Sequence, residues 1–174
     1  MEIRALRPND DRSAFQSGDD ALDRFLRKYA GQNQFRHHLG VTYVAVEENR
    51  VLGFATVAPG QLDVEELPAA ARKRMPRYPL PILRLARLAV DRPAQAKGLG
   101  TQLLRFVCRL AEKMADEYGC AGIVTDAKPD AVDFYVRHGF VPYDSLEGRS
   151  EARPRPTMMF LAMRAIKAAS HAPQ

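Results

Sequence analysis

Leu88-Ala89-Val90-Asp91-Arg92-Pro93-Ala94-Gln95-Ala96-Lys97-Gly98-Leu99-Gly100-Thr101 is the stretch on which the fold turns. Leu88-Ala89-Val90 closes an apolar run from Leu83 to Val90 that reads as a strand, and Pro93 stops it. Gly98 opens a long helix, in which Leu99, Leu103, Val107, Leu110 and Met114 recur at helical spacing until Gly119. A helix N-terminus offers unpaired N–H groups and a partial positive charge, so a strand that runs through a glycine loop into a helix is a seat for phosphate. Gly98 and Gly100 let the backbone come close, Lys97 adds a full charge, and the Thr101 hydroxyl adds a donor. Two phosphate motifs are excluded. Leu103 stands where the dinucleotide fingerprint needs its third glycine, and Gly100-Thr101-Gln102 is not the Gly-Lys-Ser/Thr of a P-loop.

Working outward, Ala121 to Thr125 is a short buried strand, Ala131 to Arg137 a helix stopped by Gly139, and Phe140–Tyr143 and Met158–Met163 the last strands. Glu147 to Pro156 reads as a charged loop, and residues 168–174 as a flexible tail behind a single domain spanning 1–167. Towards the N-terminus, Glu2 to Arg7 is a first strand. Ser17-Gly18-Asp19-Asp20 supplies cap candidates and acidic first-turn residues for a helix carrying Ala21, Leu22, Phe25, Leu26 and Tyr29 on one face, weakened or ended by Gly31. Val41–Val46 and Val51–Val57 form a hairpin around Glu47-Glu48-Asn49-Arg50, and a short helix near Pro68 to Met75 interrupts a proline-rich connection. Hairpin strands followed by strand–helix–strand crossovers predict an α/β fold with a central mixed sheet flanked by helices.

The 174 residues suit one domain, and 46% of them are hydrophobic, enough for a core. No apolar run reaches the roughly 18 residues of a membrane helix, and the N-terminus lacks a signal-peptide pattern, so a cytoplasmic protein without a membrane role is expected. Cys108 and Cys120 are too few and too far apart for a zinc site, no metal is expected, and both read as reduced, buried thiols. His37-His38 reads as a surface pair, since neighbours point to different sides of any regular element. The net charge of +5 is concentrated: residues 68–113 carry eleven basic and two acidic groups. A phosphate cofactor explains part of that excess, and a polyanionic second substrate explains more.

Gln95-x-x-Gly98-x-Gly100 resembles the first signature of the GNAT superfamily of acyl-CoA N-acyltransferases, with Ala96 where that loop often has another glycine. Ala131-x-x-Phe134-Tyr135-x-x-x-Gly139-Phe140 resembles the second. The resemblance covers roughly residues 2–165 and implies a twisted sheet whose fourth and fifth strands splay around acetyl-CoA. By that resemblance the cofactor meets Leu88, Ala89, Val90, Gln95, Ala96, Lys97, Gly98, Leu99, Gly100, Thr101, Phe134 and Tyr135. Acetyl transfer needs a neutral amine, an oxyanion donor and a proton for the thiolate. The resemblance assigns the donor to the Leu88 backbone N–H and the proton to Tyr135, whose phenol, with a pKa of about 10, keeps its proton at neutral pH. Leu83 to Val90 holds no carboxylate to act as a base. Asp126 and Asp130 are candidates from elsewhere, though a strand end and a helix cap also account for them.

Asp11-Arg12-Ser13-Ala14-Phe15-x-Ser17-Gly18, Ala21-Leu22-Asp23-x-Phe25-Leu26, Tyr29-Ala30-x-Gln32-Asn33 and Arg84-Leu85-Ala86-Arg87-Leu88-Ala89-Val90-Asp91 look like segments of the GNAT toxins of bacterial type II toxin–antitoxin modules. That resemblance implies acetylation of the α-amine of aminoacyl-tRNA, arrest of translation, a ribbon-helix-helix (DUF1778-type) antitoxin and a homodimer. The basic segment fits RNA phosphates, with Arg72, Lys73, Arg74 and Arg77 as contacts and Arg84 and Arg87 nearer the cleft. The missing strand-four carboxylate fits an α-amine, which with a pKa of about 7.7–8.0 is partly neutral already. Two other readings stay open: a metabolic acetyltransferase of a small amine or peptide N-terminus, and a catalytically silent acyl-CoA-binding interaction module.

Overall fold

The computed structural model describes residues 1–143 and 154–172. Most of the loop expected at Glu147 to Pro156, and the end of the tail, lie outside the described residues. In chain order the elements are β1 (Glu2–Ala5), α1 (Asp20–Arg24), β2 (Val41–Glu47), β3 (Arg50–Leu62), α2 (Ala69–Arg72), β4 (Leu80–Val90), α3 (Leu99–Glu117), β5 (Gly122–Ala127), α4 (Val132–Arg137), β6 (Val141–Pro142), β7 (Thr157–Ala162) and α5 (Met163–Ser170). The strands form one sheet in the order β1-β2-β3-β4-β5-β7-β6. The β4–β5 pair is parallel, and β1–β2, β2–β3, β5–β7 and β6–β7 are antiparallel, so the sheet is mixed as expected. By contacts the chain groups into two compact units, Met1–Ala58 with Leu85–Arg109 and Pro59–Arg84 with Leu110–Gln174, and β3, β4 and α3 run through both.

In the first unit, the hairpin turns at Glu48 and Asn49, both with positive φ, the geometry that matches the twist of the flanking strands. Leu6, Phe15, Phe25, Leu26, Val44, Val51, Phe54 and Ala89 form its core, in which the rings of Phe15 and Phe25 meet Phe54. Behind Ala45, the start of α3 packs Leu99 and Leu103. That approach requires Gly53 on β3, because a Cβ there would lie 2.9 Å from Leu103 Cδ1 and 3.2 Å from the Ala89 carbonyl.

In the second unit, Leu62, Val64, Leu67, Leu80, Ile82, Val124, Tyr143 and Phe160 form the core. The crossover from α3 into β5 is pinned where Ala121 N–H donates to the Pro81 carbonyl at 2.7 Å, after Gly119 turns the chain with φ of +102°.

Two sequence expectations need correction. Gly31 does not end the first helix. It holds helical dihedrals between two π-helical segments, Phe25–Tyr29 and Gln32–Arg36, and a Cβ on it would sit 3.1 Å from the Arg12 guanidinium, so this glycine makes room rather than a stop. β3 runs on to Leu62 through Pro59 and Gly60. After β7 the chain is helical over Met163–Ser170, with Ile166 buried. Neither Cys108 nor Cys120 is in a disulfide; Cys108 is half-buried and Cys120 buried, and that burial pushes the Cys120 thiol pKa up. His37 and His38 are exposed, as expected.

Candidate active site

The loop between β4 and α3 begins at Asp91, whose carboxylate is almost fully buried (1% exposed). It accepts from the Gln16 N–H at 2.9 Å and from Arg50 Nη2 at 2.7 Å, while the Asp91 N–H donates to the Leu52 carbonyl at 2.8 Å. Arg92 N–H donates to the Gln16 carbonyl at 2.8 Å. The Gln95 side-chain amide donates to the carbonyls of Ser17 at 2.7 Å and Val90 at 2.9 Å. The Asp11–Gly18 segment and the glycine loop, read from the sequence as separate signatures, are therefore one hydrogen-bonded body. Gln95 serves there as a clamp, with its amide already committed to backbone. Further back in the same segment, Asp23 is buried and accepts from the Ser17 N–H at 2.8 Å and hydroxyl at 2.6 Å. Asp19 caps α1 by accepting from Ala21 and Leu22 N–H.

Sequence reading missed Asp91 and Arg50 as the anchor of the loop, because their partners are 41 and 75 residues away along the chain. The only signal for Asp91 was a carboxylate directly after an apolar strand.

Past the anchor, Ala96, Lys97 and Gly98 are exposed, and Leu99 is buried under the helix start. Gly98 has φ of +81°, and a Cβ built on it meets nothing within 4 Å. The backbone here turns left-handed towards open space, which suits the close approach of an anionic group to helix N–H donors. Lys97 Nζ rests on the Pro93 carbonyl at 2.8 Å, within the same loop. Leu88, Val90 and Ala94 pack against Ala45, Leu99 and Leu103, which fixes the strand end beneath the loop.

Ala96, the departure from the glycine pattern, has φ of +59°. An L-residue in this region costs roughly 1–2 kcal/mol, more than the roughly 0.5–1 kcal/mol of extra chain entropy a glycine brings. Ala96→Gly is therefore expected to raise the melting temperature slightly. A fall of the kind seen for an ordinary exposed Ala→Gly change would remove the strain argument.

Tyr135 lies in the second unit, on α4, buried at 6% exposure with its ring edge-on to Phe134 and Phe140 at 5.2 Å. Phe134 is half-buried and its ring lies 4.6 Å from that of His138, whose Nδ1 is 2.7 Å from the Phe134 carbonyl. Burial raises the pKa of the Tyr135 phenol above its ordinary value, and a side-chain hydrogen bond with Thr125 of β5 partly offsets that. The phenol therefore keeps its proton at neutral pH, and Thr125 holds the hydroxyl in place. Asp130 is exposed in the turn before α4 and makes no side-chain cap there. Asp126 sits on β5, 3.7 Å from Arg84 Nη1.

Arg72, Lys73, Arg74 and Arg77 are exposed, and among the described residues none forms a salt bridge. Arg87 is engaged inward, its guanidinium 3.7 Å from the Phe25 ring centroid, and burial lowers its pKa.

A family model described as an acetyltransferase (GNAT) domain matches residues 38–142, more than half of the chain and inclusive of both the glycine loop and Tyr135. The chain is 38% identical over 140 residues to a tRNA-acetylating toxin of Mycobacterium tuberculosis (strain ATCC 25618 / H37Rv), covering 79% of this chain and 82% of that protein. It superposes on AtaT complexed with acetyl-methionyl-tRNAfMet with a TM-score of 0.84 and 23% identity, over 97% of this chain and 98% of that one. It also superposes on a tyrosine-to-phenylalanine variant of AtaT bound to the C-terminus of the antitoxin AtaR and acetyl-CoA, with a TM-score of 0.77 and 22% identity over 97% and 96% of the two chains. Glycine loop, buried tyrosine, mixed sheet and matched domain coincide in one chain: it belongs to the GNAT acetyltransferase family.

Proposed function

We propose that this chain is an acetyl-CoA-dependent toxin that acetylates the α-amine of aminoacyl-tRNA and so blocks translation. The observation that carries the reading is the 38% identity to a tRNA-acetylating toxin across most of both chains. The exposed run Arg72, Lys73, Arg74 and Arg77 supports it as a place for RNA phosphates. Arg84 and Arg87 of the same basic segment lie further along β4.

The chemistry follows from this chain's residues. When bound, acetyl-CoA supplies an activated acetyl thioester. The open, left-handed backbone at Gly98 and the start of α3 fit its pyrophosphate, with Lys97 as counter-charge, the backbone amides of residues 96–101 and the Thr101 hydroxyl as donors, and Gln95 holding the loop in place. The strand backbone of Leu88, Ala89 and Val90 pairs with the pantetheine arm, and the Leu88 N–H stabilises the oxyanion. Phe134 shapes the wall beside Tyr135, and Tyr135 gives its proton to the departing thiolate. The partners expected are a ribbon-helix-helix antitoxin and a second copy of the chain. Among the described residues no helix is long and apolar enough to cross a membrane, and cytoplasmic action on tRNA is proposed.

The deciding experiment offers labelled acetyl-CoA with charged and deacylated tRNA side by side. Label on charged tRNA alone is expected. Equal labelling of both, or labelling of small amines but neither tRNA, would instead favour a metabolic acetyltransferase, and no transfer at all a silent acyl-CoA-binding module. At the cofactor loop, Gly100→Asp places a Cβ and a like charge beside phosphate and should weaken acetyl-CoA binding by roughly tenfold or more. Calorimetry reads this directly, and unchanged affinity would mean that the loop holds something else.

A further inference from the structure

Two exposed tyrosines in the second unit have no part in the chemistry described so far. Tyr78 is 62% exposed and Tyr118 72%, and among the described residues neither ring meets another ring or a cation. The packing around them holds both out. Met75 and Leu80 belong to one core cluster, so the chain is anchored on either side of Pro76-Arg77-Tyr78-Pro79. Proline fixes φ at Pro76 and Pro79, and a residue before a proline is held in extended conformations. Arg77 and Tyr78 therefore stand exposed on a short, stiff arch. Tyr118 follows the last turn of α3, and Gly119 then turns the chain towards Ala121, a further member of the same cluster. The two segments meet: a Cβ on Gly119 would lie 3.7 Å from Pro81 Cγ, and the Ala121 N–H donates to the Pro81 carbonyl at 2.7 Å. Tyr78 and Tyr118 thus flank one contact, at the end of the sheet where β4 and β5 begin.

The charge beside the rings is one-sided. Among the described residues Arg72, Lys73, Arg74 and Arg77 form no salt bridge, whereas the two carboxylates before Tyr118 are occupied, Asp116 by Lys167 at 3.1 Å and Glu117 by Lys113 at 3.9 Å. Exposed aromatic rings set beside uncompensated cations suit a polyanion that carries flat groups. Single-stranded nucleic acid is such a polymer, since its bases stack on aromatic rings and its phosphates meet arginine. A duplex keeps its base faces inside its own stack, so rings of this kind select unpaired nucleotides. The strand geometry says how far from the chemistry they lie. Thr125, which holds the Tyr135 hydroxyl, comes four residues after Ala121. At about 3.3 Å per strand residue the separation is about 13 Å, roughly the length of four nucleotides stacked at about 3.4 Å each.

We propose that Arg77, Tyr78 and Tyr118 form a stacking platform for the unpaired nucleotides just upstream of the aminoacylated end of the acceptor RNA. This rests on the aminoacyl-tRNA reading above and names the part of the RNA that this face receives. Each ring takes a base, and Arg77 meets the phosphate beside Tyr78. Every base has a π-face, so the platform holds the strand without reading its sequence. Arg72, Lys73 and Arg74 draw the RNA in through its charge, and the rings fix how far along the single strand the reaction centre falls. The two contributions differ in their response to salt. Phosphate contacts release counterions and weaken as salt rises, whereas stacking on a neutral ring releases none. Loss of a ring should therefore lower affinity and leave the salt slope as it is.

The test is a ratio of affinities, measured by fluorescence anisotropy on the full chain. The probes are two labelled single-stranded RNAs of one length, one with all its bases and one abasic upstream of its terminal nucleotide. The wild-type chain should bind the complete strand roughly fivefold or more tightly than the abasic one, the least that base–aromatic stacking contributes. Tyr78→Ala and Tyr118→Ala should each shrink that ratio, and the double variant should bring it within twofold at an unchanged salt slope. Tyr78→Phe and Tyr118→Phe should keep it, because the ring and not the hydroxyl does the stacking. A ratio near one in the wild type, a ratio that survives the double substitution, or one that is lost in the Phe variants overturns the proposal. Both side chains are exposed, so melting curves should hardly move. Sedimentation covers the other occupant: a dimer lost in the double variant with the ratio intact makes this face a contact between copies of the chain and overturns the platform. The charged-tRNA assay reports separately. A base-dependent ratio without acetylation of charged tRNA keeps the platform and overturns the tRNA reading, and acetylation by the double variant at the wild-type KM does the reverse.

Discussion

Tyr135→Phe is expected to lower turnover by roughly 10²-fold or more, the range general-acid catalysis contributes, with acetyl-CoA affinity unchanged. The substitution removes one oxygen from a side chain that the structure buries between Phe134, Phe140 and Thr125. Ring packing survives, and the lost hydrogen bond with Thr125 costs only about 0.5–1.5 kcal/mol. A catalytic and a structural role therefore separate cleanly: the first predicts a large kinetic loss in a folded, cofactor-binding protein, the second a shifted melting curve with near-normal turnover. The pH dependence has a fixed sign. Burial raises the phenol's folded pKa above the unfolded value of about 10. The resulting stability is fully present below about pH 10 and is lost as pH rises through the folded value, so Tyr135→Phe should flatten the alkaline side of the stability profile. Thermal melts from pH 8 to 11, run beside single-turnover kinetics, check both halves. Near-normal turnover would return Tyr135 to a packing role.

What was legible in the sequence was what short spacing encodes. The strand–loop–helix from Leu88 to Thr101, the Glu48-Asn49 hairpin and the stop at Gly139 each rest on residues a few positions apart, and each stands where expected. Features set by distant partners were not legible. Gly31 looks like a helix stop until the Arg12 guanidinium is seen against it. Gln95 reads as part of the cofactor loop, but the sequence does not show that its side-chain amide holds the carbonyls of Ser17 and Val90. Asp91 with Arg50, and Arg84 with Asp126, are assembled from separate elements, and no periodicity marks them.

Charge reversal of Arg72, Lys73, Arg74 and Arg77 to Glu should weaken binding of charged tRNA by roughly a hundredfold near physiological salt, and should flatten its salt dependence. All four are exposed, among the described residues they are free of salt bridges, and α2 and the turn after it hold them within six positions of one another. If each meets one phosphate, each contributes roughly 0.7–0.9 to the slope of log affinity against log salt, so losing four removes about 3 units. Stability should hardly change, since substitutions of exposed charges generally act within about 0.5 kcal/mol. The effect should also spare any transfer to a small aminoacyl ester, because neither the loop at Gly98 nor Tyr135 is touched. Arg87 provides the internal contrast: its guanidinium covers Phe25 in the core of the first unit, so Arg87→Glu should unfold or destabilise the chain instead of tuning the salt slope. Filter binding of charged tRNA between low and physiological salt measures the slopes. An unchanged slope in the fourfold variant would move the RNA-binding surface away from α2, and a slope near zero in the wild type would leave the basic segment as a solvated face with no nucleic acid on it.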